Sequence, residues 1–248
     1  MLMKTIETMN TAVAGEESAI TPALSPEQAA IFREMIMAGI ASGRKKSCTN
    51  PKMDGFILNY SRGVAVFDLM QTATGIDKAA AFIKGLIDEK RTVIVLGSQP
   101  TARDFVLEFA QKHGFFYVTN RWLGGILTNF NTISKRIVYF TKLKADKASG
   151  ELLKYTKKEQ LDFDRCISNM TVSFAGLEGI TALPAALFVV DAAAHEIAVR
   201  EARRLKIPIV AIMNSDNDPD GIAYPIPAND NTRSSLLWIF NRLNEKLA

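Results

Sequence analysis

Apolar and polar positions in this chain follow two different rhythms. From Phe56 onward, short apolar runs alternate with longer amphipathic stretches. Phe56-Ile57-Leu58 and Val64-Ala65-Val66-Phe67 read as strands, residues 74–88 as a helix, and 92–97 as a buried strand ending in a turn. Residues 101–113 predict a helix closed by Gly114, and 115–118 a further strand. After an interruption the pattern resumes with a strand over 186–191, a helix over 196–206 and a strand over 207–213. Tyr224-Pro225-Ile226-Pro227 predicts an edge strand, because proline cannot donate to a central ladder. Residues 234–247 read as a closing helix. Alternation of this kind implies an α/β body, a mostly parallel sheet with helices on both faces.

The interruption has its own rhythm. Ile126, Phe130, Ile133, Ile137 and Phe140 are spaced 4, 3, 4, 3, and so are Phe163, Ile167, Met170, Phe174 and Leu177. Both are heptad seams with charged residues between them. Ala148-Ser149-Gly150 supplies a turn, and Thr156-Lys157-Lys158-Glu159 a capping box that starts the second helix. The expectation is an antiparallel coiled-coil hairpin over residues 126–180, inserted into a body made of 26–125 and 181–248. Residues 1–25 lack a period and read as a flexible acidic tail. Ser25 and Pro26 then open a helix with Ile31, Met35 and Ile36 on its apolar face. Residues 38–49 read as irregular and basic.

Charge sharpens the picture. Net charge is +4, but residues 1–30 hold Lys4 against Glu7, Glu16, Glu17 and Glu27, leaving +7 for the rest. A basic body suits a phosphate-rich partner. No apolar run reaches the roughly 18 residues of a membrane span, and no export or transit signal is read. Cys48 and Cys166 form no CxxC pair, which argues against a disulfide framework or a cysteine zinc site. With only His113 and His195, histidine catalysis or metal binding has little to draw on.

The densest candidate chemistry lies in Arg121-Trp122-Leu123-Gly124-Gly125-Ile126-Leu127-Thr128-Asn129-Phe130. Arg121 offers a phosphate fork. Trp122 is either a stacking face or a core aromatic at the hairpin root. Arg44-Lys45-Lys46 with Lys52, Lys135-Arg136, Lys142 with Lys144 and Lys147, Lys157-Lys158, and Arg200 with Arg203-Arg204 and Lys206 spread further cations over the chain. This pattern suits shape-led, salt-sensitive RNA binding.

Enzymatic readings are weaker. Gly97-Ser98-Gln99-Pro100 follows a strand but carries no dinucleotide or P-loop fingerprint. Asp191 ends a strand, where α/β enzymes keep their sites, and His195-Glu196 opens the following helix. No activated nucleophile accompanies them, and His195 suits a surface or capping position. Asp216-Asn217-Asp218-Pro219-Asp220-Gly221 imitates a calcium loop, but Pro227 stands where the bidentate acid belongs. It reads as a turn.

Taken in order, several segments resemble the universal small-subunit ribosomal protein S-two family, in its bacterial or organellar form. They are Asn50-Pro51-Lys52-Met53, the 121–130 run, Tyr155-Thr156-Lys157-Lys158-Glu159, Leu183-Pro184-Ala185-Ala186-Leu187-Phe188-Val189-Val190-Asp191, Asp218-Pro219-Asp220-Gly221 and Ile226-Pro227-Ala228-Asn229-Asp230. The resemblance runs from about Glu34 to Lys246. It implies a three-layer α/β/α body with an inserted helical hairpin, and a non-catalytic constituent of the small subunit that binds 16S-type rRNA and supports late assembly and translation. It further implies neighbouring small-subunit proteins as partners, including the large S-one protein, with no membrane and no cofactor beyond Mg²⁺ associated with rRNA. The RNA-facing positions it suggests are Asn50, Lys52, Arg121, Trp122, Asn129, Lys135 and Arg136. The chain departs from the family pattern at Ala41-Ser42-Gly43-Arg44, at Thr49 and at Gln99-Pro100. Arg44, Lys45 and Lys46 are expected to substitute there by charge.

Overall fold

A computed structural model describes residues 26–248. The expected tail and the capping residue Ser25 lie outside them. The chain divides into two units, residues 1–33 and 34–248. The described part of the first belongs to helix α1 (Pro26–Met37).

The second unit is built on a five-stranded parallel sheet of β4 (Val93–Leu96), β5 (Phe116–Val118), β6 (Ala186–Val190), β7 (Ile209–Met213) and β8 (Tyr224–Pro227). Their order is β5-β4-β6-β7-β8, so the proline-bearing strand does lie at an edge. Every residue of β4, β6 and β7 is buried, as continuous Val/Ile/Leu runs covered on both faces require. Alternation sorts them between two layers. Phe188 points to helices α3 (Arg103–His113) and α7 (Arg233–Leu247), meeting Phe109 of α3 edge-on at 5.7 Å and Phe240 of α7 at 5.8 Å, while helix α2 (Leu69–Asp88) packs on α7 and β8. Leu187, Val189, Ile209, Ala211 and Met213 join the core on the opposite face, with Ala198, Val199 and Ala202 of helix α6 (Glu196–Arg204). The architecture is a three-layer α/β/α sandwich.

The first strands do not join this sheet. β2 (Ile57–Ser61) and β3 (Val64–Phe67) pair antiparallel, and β1 (Ser42–Lys45) pairs with β3 to complete a separate three-stranded sheet. Residues 42–45 were expected to be irregular. Ser42-Gly43-Arg44-Lys45 carries no alternation, and the strand exists because β3 offers its free edge. Helix α2 also begins five residues early, because Asp68 caps it by accepting the Met70 N–H at 3.0 Å.

The interrupted region holds helices α4 (Phe130–Ala148) and α5 (Lys157–Phe174). The Thr156–Glu159 capping box is present in both directions. Ile137 and Phe140 of α4, Met170 and Phe174 of α5, and Leu177 just beyond it enter the main core. Lys147 bonds Asp164 at 2.8 Å, and Lys144 bonds Glu178 at 2.7 Å. Ile126 is buried but precedes α4, so the helix takes up its seam only at Phe130. No described helix is long and apolar enough to cross a membrane.

Candidate nucleic-acid interface

The 121–130 run is organised around a residue that its own sequence does not contain. Glu201, on α6, is 8% exposed. Its carboxylate accepts the Trp122 indole N–H at 3.2 Å, the backbone N–H groups of Gly125, Leu127 and Thr128 at 2.7, 3.0 and 3.1 Å, and the Thr128 hydroxyl at 3.2 Å. Gly125 has φ of +93°, a left-handed conformation that turns successive amides toward one point. Burial pushes the Glu201 carboxyl pKa up, but these donors outweigh it, and the net shift is downward. Glu201 was legible only as a lone acid on the buried Ala198-Val199-Ala202 stripe of its helix.

This geometry divides the expected RNA contacts. Trp122 is 6% exposed, packed in the core with its N–H occupied. It takes the core alternative and presents no stacking face. Arg121 is exposed with no acidic partner among the described residues. Asn129, at the N-cap of α4, is exposed and makes no side-chain cap bond, and Lys135 and Arg136 are exposed on the same helix.

The second group surrounds β1. Arg44 is an internal brace rather than a free fork. Its Nε lies 3.4 Å from Asp216 and its Nη2 3.9 Å from Asp230, while its backbone N–H donates to the Ser215 hydroxyl at 2.9 Å. Lys45 and Lys46 are exposed, with the Lys46 ammonium 5.1 Å from the Tyr60 ring centre. Asn50 caps the 3₁₀ turn Pro51–Phe56 by accepting the Lys52 N–H at 3.0 Å. Lys52 is exposed, but its ammonium donates to Asp218 at 3.0 Å and also to Asp220. Those bonds raise its pKa, Asp220 contributing most. The acidic loop is thus a turn held by a lysine, and among the described residues no group of three or more acids, histidines or cysteines is placed to hold a metal.

A third feature lies where β4 and β6 end. The chain leaves β4 toward β5 on one side and β6 toward β7 on the other, and a cleft of about 550 Å³ opens between the diverging connections. Ser98, Arg103, Asn120, Arg121 and His195 line it. His195 is no surface residue. It is 5% exposed, makes no capping bond, and its Nε2 accepts the Ser98 N–H at 3.2 Å. Burial lowers its pKa, against the pull of Asp191. Asp191 has φ of +66° and turns its carboxylate to the Ala193 and Ala194 N–H groups at 3.1 and 3.0 Å, with Gln99 on its other oxygen.

A family model described as ribosomal protein S2 matches residues 35–247, the whole of this sandwich with its helix pair. The chain belongs to the ribosomal protein S2 family. Among its relatives is the small ribosomal subunit protein uS2 of Petrotoga mobilis, 37% identical over 87% of this chain and 75% of the relative. Those of Dictyoglomus thermophilum (36%, covering 88% of each) and Geotalea uraniireducens (39%, over 87% and 84%) are similar. S2-family proteins are structural and non-enzymatic. Asp191 supports the backbone of its own turn, accepting from Ala193, Ala194 and Gln99. In the S2 frame, the 121–130 run joins sandwich to helix pair, and Glu201 is its anchor.

Proposed function

We propose that this protein is a structural constituent of the small ribosomal subunit, binding 16S-type rRNA and supporting late subunit assembly and translation. Family membership over nearly the whole described chain carries the reading. The exposed side chains of Lys45, Lys46, Arg121, Asn129, Lys135 and Arg136 support it, being free to meet phosphates by charge and hydrogen bonding. Lys52 and Arg44 would join only by exchanging their carboxylate partners, and Asn50 serves by shaping the turn that carries Lys52. The helix pair, read as an antiparallel coiled coil, would be the arm that meets neighbouring subunit proteins, among them the large S-one protein. The setting of this reading is the bacterial cytoplasm or an organelle.

The test is co-sedimentation of the tagged full chain with small subunits on sucrose gradients at rising salt. Association at about 0.1 M salt that fades as salt rises is the expected result. Recovery of the protein free of 16S-type RNA from low-salt lysate would overturn the proposal.

A further inference from the structure

The cleft at the ends of β4 and β6 joins two features that lie far apart in the chain. One is the Ser98 turn. The other is the start of α6, whose first residues form the opposite wall. Two exposed arginines, Arg103 and Arg121, are among its lining. Arg103 is held by its Nε–H, which donates to the Ser98 carbonyl at 3.0 Å, leaving its terminal nitrogens free to reach a ligand. Arg121 is exposed and belongs to the same lining. The N–H groups of Glu196, Ile197 and Ala198 open the helix and have no acceptor within it. The acids nearby are already engaged. Asp191 is turned inward onto Ala193, Ala194 and Gln99, and Glu196 lies 3.4 Å from Arg200.

The geometry points to this cleft as a binding pocket for a single phosphate group, supplied by the RNA backbone. The inference rests on the rRNA-binding reading above and gives it a place. Two observations favour one phosphodiester over a nucleotide. Gly97 is a packing glycine: a Cβ there would lie 2.8 Å from Val106 Cγ2, so it opens no path for a diphosphate. The aromatic rings on the lining also offer a base little face, since Trp122 is 6% exposed with its indole N–H on Glu201 and His195 is 5% exposed. What remains is a rim of two forks and a helix start, which is chemistry for one anion.

The test uses the full chain with a transcript of the small-subunit rRNA, inorganic phosphate and AMP as probes. Amide resonances of residues 195–198 are followed by NMR, and RNA affinity is measured against salt. The expected result is that RNA moves those resonances and that millimolar inorganic phosphate moves the same set. Arg103→Ala with Arg121→Ala should weaken RNA binding about tenfold or more and lower the log–log salt slope by about one. Ile197→Glu, which leaves both arginines in place and adds an acid to the half-exposed rim, should produce the same loss without lowering Tm. An unchanged slope in both variants would overturn the pocket while leaving RNA binding intact. AMP binding more than tenfold tighter than inorganic phosphate would overturn the backbone source in favour of a nucleotide. A wild-type chain that binds no rRNA would instead sink the functional reading itself.

Discussion

The carboxylate of Glu201 accepts the indole N–H of Trp122 at 3.2 Å, across 79 residues of sequence. That bond, with those from Gly125, Leu127 and Thr128, fixes how the sandwich hands the chain to the helix pair. Glu201→Ala strips the partner from all of these donors at once. The expected loss is at least about 3 kcal/mol of unfolding free energy, because buried N–H groups left unpaired cost about 1–3 kcal/mol each. Urea denaturation followed by tryptophan fluorescence measures it. A loss under about 1 kcal/mol would show that water replaces the carboxylate.

Two buried acids should titrate in opposite senses. The Glu201 carboxyl has a lowered pKa, so its contribution is complete above the ordinary glutamate value and fades as pH falls through the lowered one. Burial, aided by Asp191, raises the Asp230 carboxyl to about 6 from 3.8. The native state therefore holds a proton that the unfolded state has released, and stability falls as pH rises through that window. Asp230→Asn should remove the fall. Between pH 4 and 7 the variant is expected to gain on wild type by up to about 3 kcal/mol. Parallel difference curves would contradict this.

Gly176 marks a close approach. A Cβ at this position would run into the carbonyl oxygen and ring of Tyr117, on β5. Gly176→Ala is expected to push the end of the second arm helix off the sheet edge and cost about 1–3 kcal/mol. Thermal unfolding checks it, with Gly179→Ser as a comparison in a turn where a side chain meets nothing within 4 Å. The comparison carries only the strain of its positive φ.

Lys52 spends its charge on Asp218 and Asp220. If it reaches RNA, it must give these up. Asp218→Asn with Asp220→Asn should free it and strengthen rRNA binding several-fold at low salt, an advantage that disappears in Lys52→Met. Filter binding at two salt concentrations reads both. Unchanged affinity in the double variant would confine Lys52 to holding the loop.

Legibility in the sequence followed the range of the interactions. The Thr156 capping box could be read because its partners sit three residues apart. The edge position of Tyr224–Pro227 followed from proline's missing donor. Strand Ser42–Lys45 could not be read, since its cause is the free edge of Val64–Phe67 and the Ser215 hydroxyl 171 residues from Arg44. The candidate site divides along the same line. Arg121, Lys135 and Arg136 are exposed, as their charge suggested. Arg44 and Trp122 were claimed by Asp216, Asp230 and Glu201, partners visible only once the chain is folded.

The turn at Gly125–Thr128 is, in its amide arrangement, a receptor for an anion. Its occupant is tethered to the same chain and cannot diffuse away, so salt and competing phosphates meet a seat already taken. The backbone amides of the joint are thereby closed to an incoming anion, while the guanidinium of Arg121 stays exposed. The chain carries its own counter-ion at the joint between sandwich and helix pair.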